Sequence, residues 1–185
     1  MTYYGTKELA NAFRTVRKNT IQIAEEIGEE NYGFRPAPET RTVGQTLVHI
    51  AVVTRLSLQI HAVERRTKME GFDFMTFFGN MLAEEQVPRS KAEIVKLLHE
   101  EGDRYAKWLD TLNEEGLAEN ITMPPGMTPA SKSRFEMILG AKEHEMHHRA
   151  QLMTMERILG ITPHLTRQMQ ERIAAATAAA GQKSK

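Results

Sequence analysis

The chain of 185 residues contains no cysteine. This excludes disulfide staples, thiolate metal ligands and a cysteine nucleophile together, so any metal would have to be held by His, Asp, Glu or water. An excess of either charge is also missing, with 24 basic side chains against 24 acidic ones. No global field would draw such a protein onto nucleic acid or an anionic membrane surface. No apolar run approaches the roughly 20 residues that cross a bilayer, and Met1-Thr-Tyr-Tyr-Gly has neither the charged nor the apolar region of a signal peptide. The expectation is a cytoplasmic protein without nucleic-acid or membrane partners. A Gly-rich phosphate loop, an internal repeat and a convincing alternating strand pattern are absent as well.

What is present is the composition of a globular domain, 41% hydrophobic and 26% charged. The length suits one domain over 1–185, with a core at about 5–160 and a C-terminal helix and tail over 162–185. The 11 methionines fill irregular gaps in a helical core and carry no function by themselves.

Helical periodicity organises the sequence. Leu9, Phe13, Val16, Ile23 and Ile27 form one stripe from about Thr6 to Ile27, closed by Gly28 and by a loop in which Pro36 and Pro38 forbid helix. Thr42 and Gln45 make a capping box for a second long helix, with His49, Val53, Leu56, Ile60 and Val63 in line. The apolar cluster Phe72, Phe74, Phe77, Phe78, Met81 and Leu82 predicts a short helix over one end of the bundle. Ser90 and Glu93 cap a third long helix that turns Ile94, Leu97, Leu98, Tyr105, Trp108 and Leu112 inward and ends near Asn113. Gly116 to Pro129 reads as a long loop. Ser133 and Glu136 then cap a fourth long helix that reaches Leu159. Gly160 closes it, Thr162-Pro163 restarts a helix, and the chain ends in a frayed Gly-Gln-Lys-Ser-Lys tail. The fold class is all-α: an antiparallel four-helix bundle with an extra short helix in the 71–88 connection and a C-terminal helix.

The chemistry concentrates on the fourth long helix, whose stripe runs Met137, Ala141, His144, His148, Leu152, Met155 and Leu159. Four positions at about 100° each bring the chain round to within roughly 40°, so His144 and His148 stack one turn apart on the core face. His49 occupies the same kind of position on the second helix. A single core-facing histidine is ordinarily a neutral, hydrogen-bonded imidazole. Burying three is hard to account for unless something binds them. Three neutral nitrogen ligands leave a coordination position open, as in catalytic rather than structural zinc sites, and such an ion could activate a water or stabilise a thiolate. Arg149 and Gln151 follow within a turn, where either could orient an imidazole or a bound group. The blander readings are a solvated face or, for Arg149, a salt bridge to a neighbouring helix. His147 is read as an outer support of the site or an interface residue, and His61, His99 and His164 as surface residues.

A histidine shortly after the start of the second helix, followed by His144-x-x-x-His148-Arg149-x-Gln151, resembles the DinB/YfiT-like superfamily of metal-binding four-helix bundles. The resemblance covers about residues 5–160 and includes the loop with Tyr32 and Pro36. It implies that His49, His144 and His148 ligate one divalent ion, zinc or nickel first, iron or manganese next. It also implies a homodimer, and transfer or isomerisation of a small-molecule substrate with a low-molecular-weight thiol such as bacillithiol, mycothiol or glutathione. The choice of thiol and electrophile would fall to the loops Phe72 to Pro88 and Met123 to Pro129.

A competing motif overlaps this one. His144-Glu145-Met146-His147-His148 matches the H-E-x-x-H pattern of zinc peptidases, with Glu145 as general base. Against a peptidase stand the lack of any downstream ligand except Glu171, Gln151 where the metzincin glycine should be, and no strand edge to bind a peptide. Metal-dependent hydrolysis of a small molecule with Glu145 as catalytic residue remains an alternative. A non-enzymatic, metal- or ligand-binding dimeric bundle is a third.

Overall fold

A computed structural model describes residues 4–183. Part of the N-terminal segment read for a signal peptide, Met1 to Tyr3, and the last two residues of the tail lie outside them. The elements are α1 (Thr6–Glu26), α2 (Val43–Leu58) continued by a π-helical turn (Gln59–Val63), α3 (Phe74–Gln86), α4 (Lys91–Leu109) and α5 (Glu114–Ala118). A two-stranded sheet, β1 (Asn120–Thr122) and β2 (Ser131–Ser133), precedes α6 (Arg134–Ile158) and α7 (His164–Lys183). α1 packs on α4 and α6, and α2 packs on the same two, so α1 and α2 face each other across the bundle.

The helix starts follow from local chemistry. Thr42 Oγ1 accepts the Gln45 N–H at 3.1 Å while Gln45 Oε1 accepts the Thr42 N–H at 3.0 Å. Ser90 with Glu93 and Ser133 with Glu136 form the same reciprocal box at α4 and α6. Each such cap stabilises its helix by about 1 kcal/mol. At the other end of α6, Gly160 takes a φ of 80°, which a side chain would resist, and the chain turns into α7.

α2 is the central helix: Leu47, Val48, Ile50, Ala51 and Val52 are all buried, so it has no single apolar stripe. The expected stripe therefore misplaces Val63, which is exposed where the π-helical turn shifts the register. Residues Val43–Val63 do form one helix long and apolar enough to cross a membrane, which the reading of apolar runs had not anticipated. Of an apolar 18-residue window within it 61% is buried inside the protein, as suits a core helix.

Three further expectations change. The Gly116 to Pro129 region is not all loop, since α5 begins just before it and β1 pairs antiparallel with β2 in the register Ile121↔Lys132. Ile121 is buried there against Ile60 and Met69. Strands of three residues are too short to show alternation in sequence. The third long helix stops at Leu109 rather than near Asn113, and α7 continues to Lys183, so the tail is helical farther than expected.

Two buried polar features stand out. Arg17 on α1 donates from Nε to Glu145 at 2.9 Å and from its terminal nitrogens to Glu145, to the Leu98 carbonyl and to the Ile50 carbonyl. One guanidinium thus ties together α1, α2, α4 and α6. Gly102 makes room for it, because a Cβ there would sit 2.8 Å from Arg17 Cγ. The second feature is Glu156 on α6, fully buried with neither carboxylate oxygen hydrogen-bonded. Burial, reinforced by Glu26, pushes its pKa up to about 7, against the weaker pull of Arg167 and Arg157.

A carboxyl whose pKa is raised by folding stabilises the fold below its unfolded value, and that stability is lost as pH rises through the folded value. In metal-free protein, Glu156→Gln should therefore gain on the order of 2 kcal/mol over wild type at pH 8, and the gain should vanish near pH 4. Urea unfolding at the two pH values measures the difference. A gain of equal size at both would show that folding does not raise the Glu156 pKa.

Candidate metal centre

α2 and α6 pack together, and where they meet they present three imidazoles to one point. His49 Nε2 lies 3.2 Å from His144 Nε2, and His144 Nε2 lies 3.1 Å from His148 Nε2. The three ligand atoms all fall within 4.8 Å of one another. His49 and His148 are buried and His144 is half-buried.

The outer nitrogens decide which way the lone pairs face. His49 Nδ1 is 2.7 Å from Glu85 Oε1, and His148 Nδ1 is 2.7 Å from Gln151 Oε1. Both partners are acceptors, so each Nδ1 carries the proton and each Nε2 points a lone pair at the common centre. His144 Nδ1 is buried without a partner. Burial, joined by the neighbouring imidazoles and Arg41, brings the His144 pKa down to about 4. Burial also lowers His148 to about 4, against the opposing effect of the hydrogen bond that its Nδ1–H donates to Gln151. Neutral imidazoles are the form a metal requires. Tetrahedral zinc with bonds of about 2.0–2.1 Å would set its nitrogens about 3.3–3.4 Å apart, close to the two spacings from His144 Nε2. The donor set therefore fits a divalent ion.

Glu85 was not foreseen from the sequence. It sits on α3 with its side chain 2% exposed, and Arg41 Nε holds its other oxygen at 2.6 Å. Burial works to raise its pKa, but the hydrogen bonds from His49 and Arg41 prevail and hold it below the usual carboxylate range. A carboxylate on the far nitrogen of a ligating histidine fixes the ring and increases its basicity. The sequence signal was slight: Glu85 is one of two adjacent acids at the end of an apolar helix, and its partner lies 36 residues away.

The other expected residues divide. Gln151 reaches the site, bonded to His148 on one side and 3.2 Å from His147 Nε2 on the other. His147 is exposed beside the cluster, its ring centroid 4.9 Å from that of His148. Arg149 makes no hydrogen bond to the three imidazoles; it is half-buried, its Nε has no partner, and it makes no salt bridge to a neighbouring helix. Glu145 is fully buried with both oxygens engaged by Arg17, which gives it a structural role in place of the expected catalytic one. Glu171 is exposed on α7; the third imidazole comes from His49 instead.

Two histidines assigned to the surface are buried. His61 lies in the π-helical turn, stacks on Trp108 and bonds to Arg134 at 2.8 Å, and burial with that guanidinium lowers its pKa to about 4. His164 is 1% exposed at the start of α7. His99 is exposed, as expected.

A cavity of about 750 Å³ reaches the cluster at His148 and Gln151. Its walls are the loop from Arg35 to Arg41, the start of α2, the end of α3 and the later turns of α6. The Phe72 to Pro88 segment thus contributes through Leu82, Glu85 and Gln86. Met123 to Pro129 does not line this cavity; Met123 packs instead against the Ile60, Met69 and Ile121 cluster.

A four-helix bundle with three convergent histidines on two facing helices defines a class of protein able to hold a metal ion in its core. The DinB superfamily model matches residues 12–152, and the chain belongs to that superfamily. No curated protein sequence matches it. Among solved structures, YfiT from Bacillus subtilis, described as a probable metal-dependent hydrolase with an unusual four-helix bundle topology, is similar with a TM-score of 0.67 at 15% identity, over 88% of this chain and 91% of that one. The DinB-like protein YjoA from Bacillus subtilis gives 0.61 at 21% identity, over 84% and 94%. The colibactin self-resistance protein ClbS, solved with double-stranded DNA, gives 0.63 at 14% identity, over 85% and 98%. At these identities the likeness is one of fold.

Proposed function

We propose that this protein is a metal-dependent enzyme acting on small molecules, most naturally a transferase or isomerase that uses a low-molecular-weight thiol. The observation that carries the reading is the set of lone pairs: His49 and His148 have their protons fixed on Nδ1, so their Nε2 lone pairs converge with His144 Nε2, where one divalent cation could take all three nitrogens. A divalent ion held there, zinc or nickel first and iron or manganese next, would supply Lewis acidity, lowering the proton affinity of a thiol or water.

The remaining work falls to the chain itself. Glu85 and Gln151 keep His49 and His148 in the ligating tautomer, and the cavity walls admit a small molecule beside them. In thiol transfer the sulfur would form a bond to the electrophilic carbon as the leaving group departs, the thiol proton having passed to solvent. The same reading makes the protein a homodimer, on the strength of the family resemblance.

Hydrolysis of a small molecule is the second reading, favoured by the description of YfiT. Glu145 cannot serve it from its ion pair with Arg17, which leaves Glu85 as the carboxylate nearest the histidines.

Zinc-loaded protein should accelerate thioether formation between 2-mercaptoethanol and monobromobimane, with the increment lost in His148→Ala. Acceleration of p-nitrophenyl acetate cleavage with no dependence on thiol would favour hydrolysis instead. No rate increment in either assay would support the non-enzymatic bundle.

A further inference from the structure

The cavity that reaches the histidine cluster carries two guanidinium groups whose hydrogen-bonding capacity is only partly used. Arg41 commits Nε and one terminal nitrogen to Glu85, at 2.6 and 3.2 Å, leaving its other terminal nitrogen unengaged. Arg35 commits a single nitrogen to the Pro38 carbonyl at 2.8 Å. Both line the same cavity as His148.

We propose that this cavity selects an organic acid: a small molecule with an apolar body, whose carboxylate is gripped by Arg35 and Arg41 while its reacting end reaches the histidines. The proposal rests on the metal reading given above, and three observations support it.

The first is charge. Arg35 and Arg41 are balanced by Glu39 and Glu85, so the cavity without an ion is neutral. Glu85 is already shared between Arg41 and His49, and Glu39 is an exposed residue of the loop with no ion pair. A divalent ion on three neutral imidazoles would leave an excess of two positive charges, which an anionic ligand offsets. The second is geometry. A guanidinium presents its donors in a planar fork that matches a carboxylate, and the unused nitrogens belong to two arginines on one loop. The third is the apolar part of the cavity wall. Leu82, half-exposed, and Met155 and Pro36 offer an apolar surface, and about 750 Å³ is ample for a small molecule.

Arg35 and Arg41 are thus specificity-determining residues, and Arg41 is also a positioning residue through Glu85. Arg35→Gln is the cleaner variant, since Arg35 is exposed and its one hydrogen bond is to its own loop.

The test uses the full chain loaded with cobalt(II) and three thiols of equal length: 6-mercaptohexanoate, 6-mercaptohexanol and 6-aminohexanethiol. Sulfur-to-cobalt charge-transfer absorption reports binding without any turnover. The acid should bind about tenfold more tightly than the alcohol, and the amine most weakly. In Arg35→Gln the affinity for the alcohol should be unchanged and the preference for the acid should fall to about threefold. It should disappear in Arg35→Gln/Arg41→Gln. Equal binding of acid and alcohol by the cobalt protein, or a preference that survives loss of both arginines, overturns the proposal alone. A wild-type protein that takes up no cobalt overturns the metal reading and the proposal with it.

Discussion

Arg17→Met should lower the stability of the protein by about 3–5 kcal/mol, the cost of leaving a buried charge without its partner. Glu145 is fully buried, and all its hydrogen bonds come from Arg17. Two main-chain carbonyls, of Leu98 and Ile50, would lose a donor at the same time. The double variant Arg17→Met/Glu145→Met should recover a large part of the loss, because the desolvation of both charges is then removed together. Urea midpoints of the two variants decide the matter. A single variant within about 1 kcal/mol of wild type would mean that water reaches Glu145 and that this brace contributes little.

Glu85→Ala should weaken metal binding about 10- to 100-fold while leaving the bundle folded. Glu85 is hydrogen-bonded to His49 Nδ1 at 2.7 Å, and without it the ring loses both its orientation and the acceptor that fixes its tautomer. The released Arg41 is about one-third exposed and can be hydrated, so the metal-free fold should lose little. Competition with a chromogenic chelator measures the affinity and circular dichroism the fold. An affinity within threefold of wild type would show that the packing of α2 alone orients His49.

The helical frame was legible because its signals are local. Three capping boxes and the proline-bounded loop located the starts of α2, α4 and α6, and spacing along α6 brought His144 and His148 onto one face. His49 was recognisable as the third imidazole of the cluster from its place early in α2.

What was not legible depends on contacts between distant elements. Glu85 becomes important only when α3 lies over α2, and nothing in its own segment distinguishes it from Glu84. Glu145 looked catalytic because it follows His144, yet one residue on a helix is a rotation of about 100°, enough to carry it away from the histidines and onto Arg17. His61 and His164 were misassigned for a related reason. Their burial comes from Arg134 and Trp108 in one case and from the return of α7 to α1 in the other.

The most direct test of the central claim is metal content by elemental mass spectrometry, on protein purified without a metal-affinity tag and compared with His49→Ala and His148→Ala. The wild type should carry about one equivalent of a divalent ion, or take it up when supplied, and both variants should lose it. A folded wild type that neither contains nor accepts a metal, or variants that retain it in full, would contradict the assignment of His49, His144 and His148 as its ligands.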